Sequence, residues 1–190
     1  GVGNVEWGSH VCTFFSSPRE IVEVLLPYFL AGLSNNERCL WIVSPPLSVG
    51  DALEALEREG VRPQDDAWRA RISVHEFATW YADPASTRPD TGMRRWGAEE
   101  KRTLADGFAG LRIAGQVPRL EGARRETFMA YEAAASRAFR GCRSIALCAY
   151  SLRASGTDDI FEVIHAHPFT LDRRDGGWEI VERGTPPARR

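Results

Sequence analysis

The loop that would matter most in a nucleotide-hydrolysing α/β protein has neither glycine nor lysine. An apolar, alternating run, His10-Val11-Cys12-Thr13-Phe14-Phe15, reads as a first strand, and an apolar helix follows over residues 21–33. Between them stand Ser16-Ser17-Pro18-Arg19-Glu20. A phosphate loop at this place needs glycines for close backbone approach, a lysine for the β- and γ-phosphates and a Ser/Thr hydroxyl for Mg²⁺. The opening keeps the frame of an ATPase without its chemistry, so the expected role is binding or sensing, and not catalysis.

Other absences exclude further classes. No apolar run reaches membrane-spanning length and no secretory signal opens the chain. The net charge of −2, without a basic stripe or helix-turn-helix pattern, gives no pull toward nucleic acid. No Gly-x-Ser-x-Gly elbow supports a serine nucleophile. The four cysteines, Cys12, Cys39, Cys142 and Cys148, form no Cys-x-x-Cys pair and sit in apolar, strand-like surroundings, as expected of reduced thiols in a cytoplasmic protein. Lys101 is the single lysine among 24 basic residues, a bias that reflects base composition more than chemistry.

What is present is a core. With 190 residues, 43% of them hydrophobic, the chain suits one domain over residues 1–184, followed by a basic tail, 185–190, read as disordered or a linker. Gly1 at the start and the tail Pro186-Pro187-Ala188-Arg189-Arg190 suggest a piece of something larger. Ser17, Pro18 and Glu20 give the first helix a hydroxyl cap, a proline in the first turn and an early acid. Continuous apolar runs at 39–43 and 144–150 are strands buried on both faces; residues 71–77 and 111–115 are further strands. Helices are expected at 52–59, 99–109, 126–139 and 158–165. Residues 167–171 and 178–181, joined by Asp175-Gly176-Gly177, form a hairpin. Residues 80–98, with Trp80, Tyr81, Trp96, two prolines and two glycines, read as a long irregular connection or lid. Strands alternating with helices predict an α/β fold: a mostly parallel central sheet, helices on both faces, an antiparallel hairpin at the edge. Ligands in such sheets sit beyond the carboxyl ends of the strands, here residues 15–17, 44–46, 77–81, 115–117 and 150–153.

Several ordered segments resemble one family: Gly8-Ser9-His10-Val11-Cys12-Thr13-Phe14-Phe15, Leu26-Pro27-Tyr28-Phe29-Leu30-Ala31-Gly32-Leu33, Glu37-Arg38-Cys39-Leu40-Trp41-Ile42-Val43, Gly107-Phe108-Ala109-Gly110-Leu111-Arg112-Ile113-Ala114-Gly115, Tyr131-Glu132, Leu147-Cys148-Ala149-Tyr150 and His165-Ala166-His167-Pro168. Together they resemble the MEDS sensory domain of methanogen and methylotroph regulators over about residues 7–170. The resemblance implies a RecA/KaiC-like fold and a sensory role in transcription or kinase signalling, with no assigned ligand. Two departures stand out. Ser44-Pro45-Pro46 occupies the place of the catalytic glutamates of KaiC-like ATPases, and Ser151 stands where the family commonly carries Asp after its Cys-x-Tyr strand.

The candidate ligand-binding residues are His10, Cys12, Trp80, Arg112, Glu132, Cys148, Tyr150, His165 and His167. His10 and Cys12 share one face of a strand, as do Cys148 and Tyr150 on the expected neighbour. Converging with His165 and His167, they could hold a soft metal or haem. Core packing around a hydrogen-bonded His10 and a reactive thiol at Cys12 or Cys148 are the other readings, and no cofactor or metal is assigned. Arg112 lies inside an apolar strand, where an unpaired charge is costly; Glu132 is its expected partner, and anion binding is the alternative. His165 and His167 end a helix, where capping is the simpler role. Trp41 belongs to the core, while Trp80, Tyr81 and Trp96 serve packing, ligand or partner.

The reading is a non-enzymatic, cytoplasmic sensor domain. It would bind a small organic ligand or a partner above the strand ends and signal through segment 80–98 or the hairpin to an output domain or partner regulator. Homodimerisation is possible; membrane and nucleic acid are not expected partners. The alternatives are a degenerate nucleotide-binding ATPase-like protein and a haem- or metal-binding sensor built on the His and Cys residues.

Overall fold

A computed structural model describes residues 5–174 and 177–183. The chain runs β1 (His10–Phe15), α1 (Pro18–Ser34), β2 (Arg38–Val43), α2 (Val49–Arg58), α3 (Asp66–Arg69), β3 (Ile72–Glu76), α4 (Phe77–Trp80), a 3₁₀ turn at Pro84–Thr87, α5 (Pro89–Ala105), β4 (Leu111–Val117), α6 (Gly122–Ala138), β5 (Ser144–Ser151), α7 (Thr157–Ala166), β6 (Phe169–Arg174) and β7 (Gly177–Glu182). The seven strands form one sheet in the order β3-β2-β4-β5-β1-β6-β7. Neighbours are parallel except the edge pair β6–β7, the expected hairpin. Its central turn residues, 175–176, and the tail lie outside the described residues, as do residues 1–4.

Side-chain alternation divides the core between the two faces of the sheet. Val11, Phe15, Trp41, Val43, Ala114 and Leu147 face α1 and α2, joined by Leu25, Phe29 and Leu56. Leu40, Ile42, Ile113 and Ala146 face the other way, onto Trp96 of α5 and Phe128 and Tyr131 of α6. Near β1, Cys12 and Tyr150 meet Met129 of α6 and Val163 of α7. Both first helix starts are capped as the sequence indicates. Ser17 Oγ accepts from Glu20 N at 3.3 Å, and Ser48 and Asp51 form a reciprocal capping box on α2.

Residues 80–98 are not an irregular lid. Most of the segment is helical, and α5 begins ten residues before the expected 99. Pro89 sits at the start of α5, where its missing N–H costs nothing. Gly92 is placed against α6: a Cβ there would lie 2.5 Å from the Tyr131 ring. These breakers mark a helix start and a close helix crossing instead of a loop. Cys142 also departs from expectation, since it lies in the turn after α6 and is only partly buried.

Candidate functional site

Parallel pairing of β1 with β5 sets Cys12 beside Cys148 and places His10 one pleat earlier on the same face. On α6, Glu132 and Ser136 are four residues apart, so one helical face turns both toward these strands. His167 ends α7 and completes a buried polar cluster in which His10, Glu132 and His167 are each at most 2% exposed.

Glu132 Oε2 is the hub. Tyr150 Oη donates to it at 2.9 Å; His167 Nε2 lies 2.9 Å and His10 Nε2 3.6 Å away. His10 Nδ1 contacts Ser136 Oγ at 2.7 Å, and Ser136 donates to the Ala166 carbonyl at 2.5 Å. Cys148 Sγ lies 3.3 Å from His10 Nε2, and His167 Nδ1 lies 2.8 Å from the Val163 carbonyl. The two imidazole rings pack at 4.2 Å between centroids. Burial alone would raise the Glu132 carboxyl, but His167, His10 and Tyr150, gathered around it, outweigh burial and hold it at about 2. Burial, reinforced by His167, pulls His10 down to about 3.

Two cavities border the cluster. A small one of about 30 Å³, lined by His10, Glu132, Cys148, Trp96 and Gly115, is large enough for a water and leaves no room for a haem macrocycle. Gly115 faces open space; a Cβ there would meet nothing within 4 Å. A larger cleft of about 280 Å³ opens at the carboxyl ends of β4 and β5, between α6 and α7. Val117, Phe128, Met129 and Val163 give it apolar walls, Tyr150 and Ser151 lie at its strand side, and Arg125 at its mouth pairs with Asp159 and Glu162.

The structure thus brings together His10, Glu132, Cys148, Tyr150 and His167. Cys12 lies next to them, with its Sγ 3.5 Å from Thr170 Oγ1; burial pushes its thiol up to about 11, and Cys148 is likewise raised. His165 is exposed on α7, apart from the cluster. Trp80 packs elsewhere, stacked on Trp96 with Arg95 over its ring.

Arg112 does not meet Glu132. It projects from the opposite face of β4, onto Tyr28, and forms a buried two-nitrogen ion pair with Glu37. Alternation along β4 separates the two residues, since Ile113 faces α6 and Arg112 must then face α1. Glu37 precedes β2, the parallel neighbour of β4, and that adjacency was its only sequence signal. Ser136 was also missed, although its four-residue spacing from Glu132 could have marked it.

The β1–α1 loop is closed by its own side chains. Glu20 Oε2 accepts from Ser16 N at 2.8 Å, and Arg153 Nε donates to the Ser16 carbonyl at 3.0 Å.

A doubly wound parallel sheet of this order, with its cleft above the carboxyl ends, is the RecA/KaiC-like architecture. The flagellar accessory protein FlaH of Methanocaldococcus jannaschii shares it with a TM-score of 0.55 and 8% identity, over 93% of this chain and 77% of that one. The KaiC-like protein PH0186 of Pyrococcus horikoshii matches with a TM-score of 0.56 and 10% identity, over 93% and 80%. At these identities the likeness concerns the fold alone. The chain belongs to the MEDS family, the methanogen/methylotroph, DcmR sensory domain, which matches residues 9–168. Among curated proteins none matches significantly.

Proposed function

We propose that this sensory domain takes a small amphipathic organic molecule in the cleft over Tyr150 and carries out no nucleotide hydrolysis. The observation that carries the reading is Tyr150 itself: it lines the cleft and donates to Glu132, so a ligand there touches a residue wired to the buried polar cluster. The position fits the rule that open α/β sheets bind ligands beyond the carboxyl ends of their strands. The mixed lining suits a molecule with an apolar body and one polar group.

The first loop supports the non-catalytic part. Its Ser16 amide is already satisfied by the Glu20 carboxylate, and a carboxylate at that helix start repels phosphate where a phosphate loop would attract it. The output would be an attached domain or partner regulator in transcription or kinase signalling. With 80–98 mostly helical, the response would pass through α6 and α7, which wall the cleft.

Thermal unfolding with a panel of small alcohols, aldehydes and carboxylic acids, and separately with Mg·ATP, tests the reading. Ligands of the cleft raise the melting temperature of the natural chain and lose that effect in Ala154→Trp, which fills the cleft from a half-buried position. Stabilisation by Mg·ATP that survives Ala154→Trp would overturn it in favour of nucleotide binding.

A further inference from the structure

Proton positions in the buried cluster follow from the partners that can only accept. The Val163 carbonyl can only accept, so His167 Nδ1 carries a ring proton. Ser136 spends its own proton on the Ala166 carbonyl, so its oxygen accepts from His10 Nδ1. In their neutral forms both rings therefore turn an unprotonated Nε2 inward. Cys148 can supply its thiol proton to His10 Nε2, and Tyr150 supplies one to Glu132.

His167 Nε2 remains. It is fully buried, has no aligned hydrogen-bond partner among the described residues, and faces Glu132 Oε2 at 2.9 Å. A lone pair against a carboxylate at that separation, out of water, requires a positive charge between or beside them.

We propose that His10 Nε2, His167 Nε2, the Glu132 carboxylate and Cys148 Sγ form a binding site for one divalent transition-metal ion of the zinc class. The four donor atoms lie within 4.8 Å of one another. The separations of 3.3 Å from His10 Nε2 to Cys148 Sγ and 3.6 Å from His10 Nε2 to Glu132 Oε2 match the roughly 3.3–3.6 Å of donor–donor edges around tetrahedral zinc with bonds of about 2.0–2.3 Å, and the 2.9 Å between His167 Nε2 and Glu132 Oε2 would open by about half an ångström on binding. Two imidazoles, a thiolate and a carboxylate match an ion of intermediate softness. The outer contacts also suit a metal site, because each histidine has its Nδ1 fixed, one by Ser136 and one by the Val163 carbonyl. Binding releases the Cys148 thiol proton to solvent and forms the metal–sulfur bond. The neighbouring 30 Å³ cavity offers space for one small additional ligand on the ion. The competing source of positive charge is a proton on His167 Nε2, which would make the cluster an ion pair and nothing more.

The test uses the full chain, stripped with chelator and titrated with Co²⁺ and then Zn²⁺. The expected result is one equivalent of Co²⁺ with the intense visible bands of four-coordinate cobalt and a near-ultraviolet thiolate-to-cobalt band, displaced by Zn²⁺. Cys148→Ser, a change of one atom, loses the near-ultraviolet band; His167→Ala loses tight binding; His165→Ala, on the exposed side of α7, changes neither. Circular dichroism confirms that each variant is folded, and Cys148→Ser decides the matter if His167→Ala is not. A folded natural chain that binds no Co²⁺, or binds it with bands untouched by Cys148→Ser, overturns the proposal and leaves the protonated ion pair.

Discussion

Tyr150 and Glu132 join an open cleft to a buried polar cluster through one hydrogen bond of 2.9 Å. The tyrosine lines the cleft, and the carboxylate lies beneath it, 2% exposed, among two histidines. Tyr150→Phe removes the hydroxyl and little else. A hydrogen bond to a buried charged group contributes about 1.5–3 kcal/mol, so the variant should unfold at lower denaturant with an unchanged m-value and lose that much stability. A loss below about 0.5 kcal/mol would mean that the bond does not hold the cluster.

Arg112 and Glu37 form a second buried charge centre on the opposite face of the sheet. Removing one partner strands the other, so Arg112→Ala and Glu37→Ala should each destabilise by about 3–5 kcal/mol. The double variant should lose less than the sum, a coupling that a double-mutant cycle in urea measures. Stable Arg112→Met retaining ligand response would agree with a structural role. A fully stable, unresponsive Arg112→Ala would return the arginine to the binding site.

Two glycines make a matched pair. At Gly32 a Cβ would lie 2.6 Å from Arg112 Cδ and 2.9 Å from Cys39 Sγ, both inside the closed core, so Gly32→Ala should cost about 1–3 kcal/mol. At Gly115 the same atom meets open space, so Gly115→Ala should fold normally while narrowing the small cavity. Thermal melts of the two variants side by side check this; equal destabilisation would contradict the packing described for both.

Burial pushes the Cys12 thiol up to about 11 and raises Cys39 and Cys148 as well; Cys142, though less enclosed, is raised too. A raised thiol stays protonated below its pKa, so at about pH 8 the thiolate fraction is small and alkylation slow. Iodoacetamide followed by peptide mass spectrometry should label the partly exposed Cys142 slowly in the native protein and the buried Cys12 and Cys39 only after unfolding. Rapid native labelling of Cys12 or Cys148 would revive the reactive-thiol reading.

The sheet was legible because its strands are unambiguous: the apolar run at 144–150 and the alternation from His10 to Phe15 can be little else. The convergence of His10, Cys148 and His167 was legible in outline from residue spacing and the pairing of two strands. Arg112 was misassigned because partner choice depends on which sheet face a strand residue takes, and that requires the register of β2, β4 and α6 together. Segment 80–98 was misread because Pro89 and Gly92 were weighed as breakers, when one sits at a helix start and the other under the Tyr131 ring. His165, two residues from His167, shows the limit of spacing: one turns inward at the end of α7 and the other faces solvent.

The central claim is that the cleft above Tyr150 receives the signal molecule. Chemical-shift mapping on labelled protein, with a mixture of small amphipathic organic compounds and then with Mg·ATP, tests it most directly. The account predicts shifts at Val117, Tyr150, Ser151 and Val163 with the organic compounds and none at Ser16 or Ser17 with Mg·ATP. Shifts confined to Ser16, Ser17 and Glu20 on adding Mg·ATP, with a silent cleft, would contradict it.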